Sequence, residues 1–512
     1  MMHNMICYPA SIMINRIHYC CALALFISTT FPILSSASAL DNALAPSFNA
    51  LPAGHNTSYL ITDTNTGERL ASHNQEQLQA PASTQKLLTA LAATLYLPAD
   101  FQFETTLALS ESNHNQDVVI TFSGDPLLSR QQLAQLLKTL KQQGIRHLDG
   151  NIYLNGKVFS GNEHVAGLPW DILGVCYSAP ASSISLEHNC VQGALYSNKP
   201  LGQLTRVNVP SHQPIRVTTN ATIVDKTQQK AQFCELNLSA KANNHYQLSG
   251  CLIQRDKPLP LNFAVQDTVK YTADVIKKEL QRTGIRFSGQ VLRNDNAQGK
   301  VIARHHSKPL SELIDILLKD SDNLIADNLA KTLGRLYYDQ AGNFANGTHA
   351  IKAILKEKAG LNLDNAVLAD GSGLSRNNRL SAAQLNEVLT YIHQHNETLK
   401  LLETFPVADQ SGTLRYRPSV RKPPLAGNLT AKTGSLYGAA NLAGFITTQS
   451  GKKLTVVQLV NSYHPIERDS EKPITPAITL FEQAFYTTLY HYDFNRTPNP
   501  TVEGKAPNQP QQ

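Results

Sequence analysis

The sequence predicts an α+β fold, in which one antiparallel sheet flanked by helices is interrupted by a long, β-rich insertion in two parts. Two observations carry this. β-prone segments lie near both ends of the chain with helical patterning between them, which implies a single sheet closed by N- and C-terminal pieces. Between about residues 101 and 300 the pattern changes to short β-like runs broken by Gly, Asn and Pro. With 512 residues, 42% of them hydrophobic, the chain can bury more than one compact unit.

Taken in order, Arg16 precedes an apolar run over residues 19–34 and then Ala37-Ser38-Ala39, which reads as an export signal cleaved after Ala39. The competing reading, a membrane anchor, is weakened because the run falls short of the ~20 residues needed to span and is broken by Pro32. A start at Met13 would give the signal more typical proportions. Residues 58–63 and 69–72 form a hairpin about Asn65-Thr66-Gly67. Residues 83–93 are rich in Ala and Leu at buried-helix spacing, with Ser83 in the first turn.

Within the insertion, strands are expected at 118–122, 152–154 and 215–217 and a helix at 269–283. Helices follow at 310–318, from near Leu324, at 347–359 and at 381–394. A second hairpin (438–447 with 453–460) precedes a helix at 476–490. The organisation expected is a signal peptide at 1–39, a discontinuous domain from 40–100 and 305–492, an inserted accessory region of two subdomains at 101–304, and a disordered Pro- and Gln-rich tail at 495–512.

Net charge is +6, from 45 basic and 39 acidic residues, with no long basic run and one Trp. That describes an ordinary solvated surface with mild attraction to anionic polymers, and argues against a nucleic-acid partner. Of seven cysteines, Cys7, Cys20 and Cys21 leave with the signal, while Cys176, Cys190, Cys234 and Cys251 remain. An even number in an exported chain suggests disulfides. Three pairings are open; short loops favour Cys176 with Cys190 and Cys234 with Cys251, each bridge contributing roughly 3 kcal/mol through the unfolded chain. A zinc site finds no C-x-x-C spacing or nearby His pair, and adjacent His305 and His306 read as loop residues. No metal or other cofactor is expected.

Three short motifs carry chemistry. In Ser83-x-x-Lys86 the two residues share a helix face, so an amine can reach the hydroxyl as its base, beside backbone N–H groups that favour developing negative charge. Lysine keeps its proton to a pKa of about 10.4, so this role needs a drop of roughly three units, supplied by burial and a second cation. Lys432, in Lys432-Thr433-Gly434-Ser435, offers that cation at the start of the late hairpin, where Gly434 lets a substrate backbone lie against the strand edge. Ser321-x-Asn323 lies between two helices, where a hydroxyl can relay a proton and an amide can hold a carbonyl. Each motif alone is weak; Ser450-x-x-Lys453, in a turn, matches the first equally well. Together and in this order they are the trio of penicillin-binding proteins and β-lactamases.

The chain closely resembles the D-alanyl-D-alanine carboxypeptidase/endopeptidase family of class C low-molecular-mass penicillin-binding proteins. Beyond the trio, the likeness lies in Cys176-Tyr177-Ser178-Ala179-Pro180, in Ala369-Asp370-Gly371-Ser372-Gly373-Leu374-Ser375-Arg376, and in Ala431 to Ser435 with Asn441-Leu442-Ala443-Gly444-Phe445. The resemblance implies a transpeptidase/β-lactamase-like domain with its first two motifs separated by the long insertion, here from Lys86 to Ser321. It implies that Ser83 is acylated while Lys86 takes its proton, that Ser321 relays a proton to the leaving amine, that Asn323 positions the donor, and that Lys432 keeps Lys86 neutral. Ser83 and Ser435 backbone N–H groups would form the oxyanion hole, and Thr433 and Ser435 would receive the terminal carboxylate.

Arg376 and Thr413 look like substrate contacts of the family, while Tyr437 stands where relatives are expected to carry Gln. Glu187 replaces an Asp expected to reach the amino group of a diaminopimelate-type stem peptide; a surface salt bridge is its plain alternative. The implied partners are peptidoglycan stem peptides ending in D-Ala-D-Ala, diaminopimelate cross-links and β-lactams, in the periplasm. A homodimer is left open. Two other functions compete: a cell-wall sensor that has lost turnover, and a β-lactamase. A class A β-lactamase would carry an E-x-x-L-N glutamate, which this sequence lacks.

Overall fold

The structure, a computed structural model, describes residues 38–110, 117–464 and 475–494. The expected signal up to residue 37 and the tail at 495–512 lie outside the described residues. The helix Ala39–Leu44, capped by Ser38 and burying Leu40 and Leu44, lies at the expected cleavage point. Among the described residues no helix is long and apolar enough to cross a membrane.

The termini meet as the sequence requires. Strand Asn56–Asp63 pairs antiparallel with Lys453–Asn461, from Asn56 opposite Asn461 to Asp63 opposite Leu454. The five-stranded antiparallel sheet runs Leu429–Leu436, Ala439–Thr447, Lys453–Asn461, Asn56–Asp63, Arg69–His73. Both its faces are covered. On one lies helix Lys86–Tyr96, in which Leu87, Leu88, Ala90, Leu91, Ala92 and Ala93 are all buried. A helix apolar on every side must be central, and this one is enclosed by Leu310–Lys319, Asn323–Tyr338, Phe344–Ala359 and Ala382–Gln394. On the other face the C-terminal helix Ala477–His491 sets Phe481, Phe485 and Leu489 against Tyr59, Ile61 and Val456.

The insertion leaves and returns on paired strands, Glu104–Leu109 and Lys300–His306. His305 and His306 are therefore strand residues, not loop residues. Side by side the two strands form one edge of a mixed five-stranded sheet that continues through Val118–Thr121, Ile152–Asn155 and Val291–Arg293. Its core is shared with helices Thr268–Thr283 and Arg130–Gln142. The second of these was not expected from the sequence, although Ser129 caps it and Leu133, Leu136, Leu137 and Leu140 form its buried stripe. Between residues 190 and 264 the chain adds two small sheets. The disulfides are Cys176–Cys190 and Cys234–Cys251, the pairing favoured by loop length.

One buried ion pair ties the loop after residue 412 to the C-terminal helix. Arg417 Nη2 donates to Glu482 Oε1 at 2.5 Å and Nε to Oε2 at 2.9 Å, and Ser419 Oγ donates to Oε2 at 2.6 Å. Burial alone would ease a proton off Arg417, but the Glu482 charge outweighs it and holds the guanidinium cationic. Glu482→Ala leaves that charge buried and unpaired, and should destabilise the fold by about 3–5 kcal/mol, read as a lowered Tm in a thermal melt.

Candidate active site

Ser83 sits in the short 3-10 turn Ala82–Gln85 that feeds helix Lys86–Tyr96, one step ahead of the α-helix proper. The turn begins with Ala82 at φ 49°, a left-handed conformation that a residue with a Cβ adopts only when its surroundings impose it. Lys86 Nζ lies 2.9 Å from Ser83 Oγ, 2.5 Å from Asn323 Oδ1 and 2.7 Å from the Ser372 carbonyl oxygen. Two of these neighbours can only accept. They take both N–H groups of a neutral amine and leave its lone pair for the Ser83 hydroxyl. The amine is fully buried, and loss of water draws its pKa down to about 8 against the pull of Asp327, Asp370 and Asp322.

The second motif approaches from the side of the insertion. Ser321 stands at φ 61°, and Asp322 caps helix Asn323–Tyr338 by accepting from Ile325 N at 2.8 Å. The same carboxylate lies 3.5 Å from His188 Nδ1, and raises the affinity of that imidazole for a proton. Asn323 works at both ends. Its Oδ1 holds Lys86, and its Nδ2 donates to the Tyr177 carbonyl at 2.6 Å. Lys432 Nζ, also fully buried, donates to Ser321 Oγ at 2.8 Å and to the Thr433 carbonyl at 3.0 Å.

The expectation that Lys432 keeps Lys86 neutral concerns two amines that are both buried and both drawn below the usual lysine range. At Lys86 the leading cause is burial. Burial first, then Lys86 and Arg417, hold Lys432 well below the usual lysine range.

The third motif lies on strand Leu429–Leu436, the edge of the sheet, so its outer backbone groups face the cleft. Gly434 is obligatory on steric grounds: a Cβ there would lie 2.6 Å from the Pro81 carbonyl oxygen and 3.1 Å from Thr84 N, in the turn that carries Ser83. Thr433 Oγ1 donates to Thr413 Oγ1 at 2.8 Å, which brings Thr413 into the site, and Ser435 is exposed on the same strand. Arg376 lies on the rim, its guanidinium 5.6 Å from the centre of the exposed Tyr437 ring.

Glu187 is not brought into this cluster. Its carboxylate accepts from the backbone N–H of Arg130 at 2.5 Å, at the start of helix Arg130–Gln142. The guanidinium of Arg130 pairs with Glu279. Two participants had no motif: the carbonyls of Ser372 and Tyr177. Both lie in the longer strings that carried the family resemblance, which were legible as likeness but not as chemistry.

A serine in a helix-opening turn with a lysine amine buried against its hydroxyl, beside an antiparallel sheet covered by helices, is the arrangement of a serine-type hydrolase of the penicillin-binding class. The chain belongs to the D-Ala-D-Ala carboxypeptidase 3 (S13) family, whose model matches residues 38–484. It is 39% identical over 447 residues to "D-alanyl-D-alanine carboxypeptidase DacB" of Haemophilus influenzae, covering 86% of this chain and 92% of that protein. It is 26% identical over 425 residues to "D-alanyl-D-alanine carboxypeptidase" of Actinomadura sp. strain R39, covering 79% and 77%. The crystal structure of penicillin binding protein 4 (dacB) from Haemophilus influenzae superposes with a TM-score of 0.82 at 38% identity, over 88% of this chain and 99% of that one.

Gly434→Ala tests the packing of strand against turn. Pushing the two apart by about 1 Å should lower the rate of covalent labelling by a fluorescent penicillin about 100-fold, with far-UV circular dichroism unchanged.

Proposed function

We propose that the protein is a periplasmic D-Ala-D-Ala carboxypeptidase and DD-endopeptidase that acts on peptidoglycan stem peptides and their cross-links through an acyl-enzyme on Ser83. The observation that carries this reading is the buried Lys86 amine, with two carbonyl oxygens on its N–H groups and the Ser83 hydroxyl as third neighbour.

In the reaction proposed, Ser83 Oγ attacks the carbonyl of the penultimate D-Ala and its proton passes to Lys86. Backbone N–H groups of Ser83 and Ser435 receive the oxyanion, a device worth ~3 kcal/mol per donor. The C–N bond then breaks. The proton that Lys86 took from Ser83 passes by way of Ser321, which Lys432 holds by hydrogen bond, to the leaving amine, so that Lys86 is neutral again before water enters. Asn323 orients the donor peptide, Thr433, Ser435 and Thr413 receive the terminal carboxylate, and Arg376 contacts the stem peptide at the rim. Water attacks the ester, the proton it loses returns to Ser83 Oγ through Lys86, and the acid product departs. Terminal D-Ala and a cross-linked diaminopimelate are alternative leaving amines for one acyl donor, so both activities use one set of groups. A β-lactam carries its leaving nitrogen inside a ring, where it stays attached after acylation and leaves the ester blocked.

Ser83→Ala should lose penicillin labelling and D-Ala release from a pentapeptide together. Labelling of the wild type without D-Ala release would favour the sensor reading, and rapid recovery of free enzyme a β-lactamase. Because the base must be neutral, the acylation rate of the wild type should climb as pH rises through about 8, the value to which burial draws Lys86. A rate independent of pH between 6 and 9 would remove Lys86 from the proposed role.

A further inference from the structure

Beneath Lys86 lies a second layer of charge that the reaction above does not use. The turn from Asp370 to Gly373 presents the Ser372 carbonyl to Lys86, and two helices clasp it. From the first, Thr89 Oγ1 donates to the Gly371 carbonyl at 2.6 Å and Gln85 Nε2 donates to Asp370 Oδ1 at 3.2 Å. From helix Asn323–Tyr338, Asp327 Oδ1 accepts the Gly371 N–H at 2.9 Å, and the Ser372 hydroxyl favours its ionised form. The fit leaves no slack: a Cβ on Gly371 would lie 2.5 Å from the Ala326 carbonyl oxygen.

The two carboxylates of this layer are supported unequally. Asp370 collects Gly373 N at 2.7 Å, Asn378 Nδ2 at 2.9 Å and Ser375 N at 2.7 Å besides Gln85. Among the described residues Asp327 accepts one hydrogen bond, from Gly371 N; it is buried and faces the Asp370 charge. Burial and that charge push its pKa up to about 8, the range to which burial brings Lys86 down. The other charged groups in contact with this layer are few. Lys331, one turn along the same helix, faces Asp327 and Glu163 and bears on His164. Asp322 faces Lys86 and His188. Lys432 faces Lys86 and Arg417.

We propose that Asp327 is a positioning residue for the Ser83–Lys86 pair: it fixes the turn whose Ser372 carbonyl holds the Lys86 amine, and its charge state sets how readily that amine takes a proton. An ionised Asp327 favours the ammonium, whereas a neutral Asp327 leaves a free base. This rests on the acyl-enzyme reading above, with Lys86 as base.

The test measures the second-order rate of labelling by fluorescent penicillin between pH 5 and 10 for the wild type, Asp327→Asn and Ser372→Ala, with thermal melts alongside. Asparagine keeps an acceptor for Gly371 and a polar partner for Ser372 but cannot ionise. Its acid limb should therefore move to lower pH by about one unit. Ser372→Ala leaves the carbonyl in place but removes the hydroxyl that favours the ionised Asp327, so its limb should move the same way by less. A lower plateau with an unmoved limb, in whichever of the two variants folds, would make Asp327 merely structural and overturn the proposal. Failure of the acyl-enzyme reading is separate, since Ser83→Ala would then still label.

Discussion

An ammonium group cut off from water is costly, and the site depends on a place where that cost is arranged to matter. Lys86 has no exposed surface, and among the described residues its amine is held by two carbonyl oxygens and one hydroxyl. Desolvation of an ion in a protein interior amounts to several kcal/mol even after relaxation. The carboxylates around Lys86 offset part of this and keep the amine close to the point of balance between its two states. Helix Lys86–Tyr96 makes the burial unavoidable, because it is apolar all round and four other helices enclose it.

Reactive groups are then aligned by steric constraint more than by attraction. Ala82, beside Ser83, and Ser321 are held in left-handed backbone conformations, and Gly434 sits where no side chain would fit. Such conformations persist only where neighbours over-determine them. Here a strand edge, a 3-10 turn and an interhelical loop converge from segments more than a hundred residues apart in the chain. The turn and the loop lead into helices that share one core, and the strand belongs to the sheet packed beside it.

What could be read from the sequence follows the range of the signal. That Ser83, Lys86, Ser321, Asn323, Lys432 and Gly434 come together in space was legible from three motifs at a helix start, between helices and on a strand, and Ala- and Leu-rich periodicity marked the central helix. The closure of the sheet was legible from β-prone segments at both ends. Helix Arg130–Gln142 was missed although its leucine stripe and Ser129 cap were in view, since Gln and Lys fill its other faces and β-like runs surround it. Carbonyl partners such as Ser372 and Tyr177 could not be found by residue type, because every residue has a carbonyl. Asp327 gave no sign either: an acid within a helix ordinarily marks the solvent face, and only the tertiary fold turns this one inward. Glu187 was assigned by likeness of neighbouring letters, and the backbone turned its carboxylate toward a helix end instead.

The carbonyl that steadies Asn323 belongs to Tyr177, whose neighbour Cys176 is bridged to Cys190. One wall of the cleft is thus borrowed from the inserted region and stapled there by a covalent bond that thiols can undo. A copy of the chain detained among reductants would have its serine and lysine yet lack the tether behind Asn323. The support behind Asn323 thus includes a covalent bond that forms and lasts only in oxidising surroundings.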